Sequence, residues 1–122
     1  MTDEIMDYFP ERPWYCRCGC GFGAVSPDLV RRLNLARHLA GVPFEIRSAC
    51  RCGKHNASEG GKDQSAHLTG EAADIGAVNS VQRYRILVGL MGASFRRIGI
   101  GADFIHADVA AHLPQEVIWT YK

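Results

Sequence analysis

The sequence predicts a single α+β domain, with a mainly antiparallel sheet and helices packed on one side of it. Two stretches with apolar residues at helical spacing, residues 26–41 and 80–91, lie among short strand-like runs that lack regular βαβ alternation. Two of those runs are joined by a tight connection through Gly101-Ala-Asp103. A chain of 122 residues is the usual size of one domain and long enough to bury a core.

Taken in order, residues 8–25 mix aromatic anchors (Tyr8, Phe9, Trp14, Tyr15) with Pro10, Pro13, Gly19, Gly21 and Gly23. Residues 1–25 are therefore read as an irregular, Cys-rich segment packed on the domain. Ser26-Pro-Asp starts a helix, with Ser26 as N-cap and Pro27 at the first helical position, where a missing N–H costs nothing. Val30, Leu33, Leu35, Ala36, Leu39 and Ala40 recur against Arg31, Arg32, Asn34, Arg37 and His38, and Gly41 ends the helix. Residues 43–49 alternate with period two, which predicts a strand that delivers Cys50-Arg51-Cys52 at its end. Residues 53–66, rich in Gly, Lys, Asn, Ser and Asp and containing Gly60-Gly61, predict a loop that leads into His67.

Residues 72–77 are apolar apart from Asp74, as expected of a buried strand with one functional carboxylate. A second helix over 80–91 places Tyr84, Leu87, Val88 and Met91 on the face that meets the core, and Gly92 ends it. Residues 95–101, 104–109 and 116–121 predict three further strands. Trp14 and Trp119 are read as core or cleft-wall residues, and His38 and His112 as solvated.

Apolar residues make up 47% and charged residues 22%, which excludes disorder and fibrous repeats. A net charge of +1 without a basic run gives no support to a nucleic-acid partner. The acidic start lacks the features of a secretory signal and no run is long enough to span a membrane, so cytoplasmic synthesis and a monomer are expected.

The chemistry concentrates in two stretches. His67 and Asp74 flank Gly70, and Asp103-Phe-Ile-His106-Ala-Asp108 places another imidazole between carboxylates. Two histidines and one aspartate are three protein ligands, which on zinc leaves a fourth position for water and marks a catalytic site. Asp74 and His106 sit inside apolar runs, where an uncompensated carboxylate is costly, and a cation explains both. His106 and Asp108 share one strand face, whereas Asp103 reaches it only if the chain bends near Ala102, beside Gly99 and Gly101.

Ser65-Ala-His67-Leu-Thr-Gly70-Glu-Ala-Ala-Asp74 resembles the Ser-x-His-x-x-Gly-x-Ala-x-Asp signature of peptidase family M15, the zinc D-alanyl-D-alanine carboxypeptidases, whose fold is shared with the hedgehog domain. Ser48-Ala-Cys-Arg51, Asn56 with Gly60-Gly61, Gly99-Ile-Gly101 with Phe104-Ile-His106-Ala-Asp108, and Ile118-Trp-Thr-Tyr121 resemble further family segments in collinear order, closest to subgroup A of that family. The resemblance implies one catalytic zinc on His67, Asp74 and His106. It also implies Asp103 as general base, with Asp108 either the alternative base or the partner that orients His106. Arg51 would bind substrate or the oxyanion, and Ser65 would touch substrate or hold His67.

The implied activity is hydrolysis of peptidoglycan stem peptides, by a D,D-carboxypeptidase or an endolysin-type endopeptidase. Its place of action would be the cell wall or periplasm after release, and small single-domain enzymes of bacteriophages look similar. The alternative is an inactive zinc-containing binding module of the same fold.

The cysteines depart from the family pattern, with Cys50 where an aromatic residue usually precedes the arginine. Five thiols, Cys16, Cys18, Cys20, Cys50 and Cys52, leave at least one outside any internal disulfide. Cys-x-Cys-x-Cys lacks the usual zinc spacing of roughly two to four intervening residues, so a disulfide between the clusters or buried thiols is the more ordinary expectation. A second, structural zinc on these thiols is the other reading.

Overall fold

The computed structural model describes residues 5–60 and 65–121. Helix α1, Pro27–Ala40, begins where the Ser26 hydroxyl accepts the Leu29 N–H at 3.3 Å, and it ends at Gly41. It buries Leu29, Leu33, Ala36 and Ala40. Helix α3, Ser80–Gly92, is capped by Asn79, whose side chain accepts from the Gln82 N–H at 2.9 Å.

The buried face of α3 is not the expected one. Ile86, Gly89 and Leu90 turn inward, while Tyr84, Val88 and Met91 are exposed and Leu87 is only partly buried. The cause is the crossing with α1: a Cβ at position 89 would stand 2.2 Å from the Ala36 carbonyl oxygen and 2.9 Å from the Ala40 methyl. Only glycine permits that approach, so the helices meet at Gly89 and the Tyr84–Val88–Met91 stripe faces outward.

Five strands, β1 (Ile46–Ser48), β2 (Ala72–Gly76), β3 (Arg97–Ile100), β4 (Phe104–Asp108) and β5 (Val117–Thr120), form one sheet in the order β1-β2-β4-β3-β5. Every pairing is antiparallel except β3 with β5. The α+β architecture is therefore as expected, with the first strand shorter than the sequence pattern and irregular in register.

Strand alternation separates the two faces. Ala73, Ile75, Ile98, Ile105 and Ala107 join the core under α1 and α3. Asp74, His106 and Asp108 point the other way, and the register sets Asp74 directly opposite His106. Burying Phe9 and Trp14 in the same core fixes the irregular segment, helped by the Cys50 N–H donating to the Trp14 carbonyl at 3.0 Å.

Residues 53–66 are not a continuous loop. A short helix, α2 (Gly53–Ser58), starts at Cys52, whose Sγ accepts the His55 N–H at 3.4 Å, and a 3₁₀ turn follows at Ala66–Thr69. A thiol used as N-cap is a signal that composition does not carry. Gly61 of the expected glycine pair lies outside the described residues. Among the described residues no helix is long and apolar enough to cross a membrane.

Candidate metal centre

Three elements bring His67, Asp74 and His106 together. His67 lies in the 3₁₀ turn, where the Ser65 hydroxyl accepts its N–H at 3.2 Å. The turn closes at Gly70, which has φ +70° and lies so close to the irregular segment that a Cβ would meet the Ala24 carbonyl oxygen at 2.2 Å. Only glycine fits both demands, which accounts for its place between the two ligands. Asp74 and His106 come from the paired centres of β2 and β4.

All three side chains are buried, and their ligand atoms lie within 4.8 Å of one another. His67 Nε2 is 3.3 Å and His106 Nδ1 is 3.0 Å from Asp74 Oδ1. The outer nitrogens are also engaged. His67 Nδ1–H donates to the Ala49 carbonyl at 2.6 Å, and His106 Nε2 is 2.7 Å from Asp108 Oδ2.

This arrangement tests the fit of a cation. A carbonyl can only accept, so the His67 proton is on Nδ1, and a neutral ring turns its Nε2 lone pair toward the Asp74 carboxylate. His106 faces a carboxylate at each nitrogen, which a neutral imidazole with one N–H cannot satisfy. A divalent ion among the three inner atoms satisfies all of them, and imidazole with carboxylate is a donor set that suits zinc.

Electrostatics follow from the same contacts. Burial alone would raise the Asp74 pKa, but the contacts of His106 Nδ1 and His67 Nε2 with its carboxyl hold it far below the usual range. Burial would lower His106, and its bonds to Asp108 and Asp74 more than reverse this, so it is raised. Asp108 is opposed by burial, yet His106, the Ala110 N–H and Arg97 lower it.

A cleft of about 720 Å³ opens over the three residues, with Arg51, Ser65, Trp119 and Tyr121 also on its walls. Arg51 donates from Nη2 to Asp74 Oδ2 at 3.0 Å, from Nε to Ser48 Oγ at 3.1 Å and from Nη1 to Asn56 Oδ1 at 3.4 Å. It thus orients the metal-side carboxylate while lining the cleft. Asp108, fully buried, takes a 2.8 Å contact from Arg97 Nε as well as that from His106.

Asp103 is not brought to the cleft wall. It sits at the β3–β4 turn with its side chain 65% exposed, paired to Arg47 Nη1 at 3.3 Å. The chain does bend at Ala102 and Asp103, but the Asp103 carbonyl accepts the Ala77 N–H at 2.9 Å and its carboxylate pairs with Arg47, away from the His106 face.

The sequence reading missed Arg97 and Glu59. Pairing of Ile98 with Ala107 brings Arg97 beside Asp108, and the register of the hairpin is the signal that would have found it. Glu59, just past α2, is the third carboxylate lining the cleft among the described residues, with Asp74 and Asp108. Of the five free cysteines, Cys16, Cys18, Cys20 and Cys52 converge outside this site, and Cys50 is buried.

The family model described as Peptidase M15 matches residues 8–108. A comparison with curated proteins found no match.

Proposed function

The chain belongs to the peptidase M15 family, and from that premise we propose that it is a zinc-dependent peptidase that hydrolyses peptide bonds in peptidoglycan stem peptides. The single observation that supports it best is the convergence of His67 Nε2, Asp74 Oδ1 and His106 Nδ1 at the floor of an open cleft. Zinc held there would supply a Lewis acid and would lower the pKa of a bound water to about 7.

The chain's own groups do the rest. Ala49 and Asp108 fix the tautomers and ring planes of His67 and His106. Arg51 spends three contacts on Ser48, Asn56 and Asp74, and the remainder of its five-donor fork is offered to a substrate carboxylate or the developing oxyanion. Ser65 stands at the rim as a further hydrogen-bonding group.

This reading assigns the proton acceptor to a carboxylate. Asp108 is occupied by His106, Arg97 and the Ala110 N–H, which favours its orienting role over that of base. Asp103 serves as base only if its Arg47 pair breaks and the turn moves over Phe104. Glu59 lines the cleft without such a rearrangement and is the competing acceptor. Action at the cell wall or periplasm after release is part of this reading.

A second reading, an inactive zinc-containing binding module, is favoured by the position of Asp103 outside the cleft. Purified peptidoglycan incubated with the zinc-loaded protein separates them. Mass analysis should find released D-alanine or cut stem peptides, lost in His67→Ala; no product from the wild type leaves the binding module. The masses also distinguish carboxypeptidase from endopeptidase cleavage.

A further inference from the structure

We propose that Cys16, Cys18, Cys20 and Cys52 hold a second metal ion, a structural zinc that clamps the irregular N-terminal segment to the start of α2. The four sulfurs lie within 4.8 Å of one another, although Cys52 is separated from the others by more than thirty residues of sequence. The separations are 3.4 Å for Cys16–Cys18, 3.6 Å for Cys18–Cys52 and 3.9 Å for Cys16–Cys52. A disulfide needs about 2.05 Å. Four sulfurs at about 2.3 Å from one zinc stand about 3.8 Å apart at the corners of a tetrahedron, close to the separations among Cys16, Cys18 and Cys52, and the Cys20 sulfur lies in the same group within 4.8 Å.

Packing does not account for the cluster. Cys18 and Cys20 are exposed, so burial of apolar thiols is not what draws them together. The chain instead winds around the sulfurs: the Cys16 N–H donates to the Phe22 carbonyl at 2.7 Å and the Gly19 N–H to the Cys16 carbonyl at 3.2 Å. Gly19 and Gly21, at φ +85° and +91°, provide the turns that bring three alternate cysteines to one side despite their short spacing.

Amide protons also point at the sulfurs. The Cys52 N–H lies 3.4 Å from Cys16 Sγ and the His55 N–H 3.4 Å from Cys52 Sγ, as suits thiolates carrying charge. Four thiolates complete a tetrahedron and leave no position for water, so the ion is structural. Its anchor Cys52 directly follows Arg51, the side chain that holds Asp74, and the clamp therefore fixes the wall of the cleft. Cys50 is buried away from solvent and is left as a thiol.

The test uses the full chain purified under reducing conditions, with zinc measured by elemental analysis. Wild type should hold about two zinc ions per chain, and His67→Ala and the double variant Cys18→Ser/Cys20→Ser about one each. Cobalt loaded into His67→Ala should give intense thiolate-to-metal charge-transfer absorption. All five thiols should react after unfolding in chelator without reductant. Loss of all zinc in His67→Ala, a thiol count below five from a disulfide, or iron bound in place of zinc would each overturn the proposal. The thiol count and the cobalt spectrum do not depend on the cysteine variant folding.

Discussion

The two ligand clusters of this small protein are built by opposite means. His67, Asp74 and His106 are buried, and the latter two are fixed by strand register, with Ala49, Arg51 and Asp108 holding the ligands from behind. Cys16, Cys18, Cys20 and Cys52 sit on irregular chain and a short helix start, two of them exposed, with two amide contacts for support. The sheet would hold Asp74 and His106 in place without an ion. The second set needs an ion to hold the chain in place. A rigid site with an open side suits chemistry, whereas a closed site on loose chain suits folding.

The largest expected effect is a double dissociation between them. His67→Ala should reduce peptidase activity to background while leaving the segment around Arg17 as resistant to trypsin as in the wild type. Cys18→Ser/Cys20→Ser should do the reverse in kind, exposing the segment around Arg17 to trypsin and lowering the midpoint, with activity falling only as far as Arg51 loosens. Activity assays and limited proteolysis on the same preparations read both. Equal loss of activity and protease resistance in both variants would erase the distinction.

Much of the first cluster was legible because its signals are local. His67 and Asp74 lie around one glycine, and His106 and Asp108 are two apart in a period-two strand, so their local spacing suggests a site and carries the resemblance to the family signature. The pairing of Asp74 with His106, and of Arg97 with Asp108, depends on the sheet register, which is a non-local property. Asp103 lies off the cleft wall for a related reason: its carbonyl and side chain are held by Ala77 and Arg47 from a different part of the chain. The buried face of α3 was misread because a glycine contributes nothing to a hydrophobic pattern, yet Gly89 is where the helices touch. The cysteine cluster was weighed and disfavoured on its spacing, since only positive φ at Gly19 and Gly21 gathers thiols that sequence sets too close together.

A smaller effect tests whether the support behind the first cluster matters as much as the ligands. Asp108→Asn keeps the shape but loses the charge that orients His106 and pairs with Arg97, and it should lower zinc affinity or activity by about 10–100-fold. Arg97→Ala leaves the Asp108 carboxylate buried with one partner fewer, and about 3 kcal/mol of stability is expected to go with it. Zinc titration and urea unfolding measure the two. Wild-type affinity in Asp108→Asn would mean that Asp108 does not orient the ligand.

The smallest effect is the pH dependence of the metal-free protein, where the first cluster must neutralise itself with a proton instead of an ion. Asp74 and Asp108 have lowered pKa values when folded, so their contribution is present above the ordinary carboxylate pKa of about 3.9 and is lost as pH falls through the folded values. His106 is raised, so its contribution is complete below about 6.5 and is lost as pH rises through the folded value. The urea midpoint of the stripped protein should therefore be highest between those limits and fall on the alkaline side. Zinc should abolish the alkaline fall, because His106 Nδ1 then carries the ion and no longer needs the proton. The cysteine cluster predicts a different sign, since its thiolates bind metal better as pH rises, so Cys18→Ser/Cys20→Ser should leave the alkaline fall of the stripped protein intact. If that variant removes the fall, the dependence belongs to the thiols and the proton assigned to His106 is misplaced.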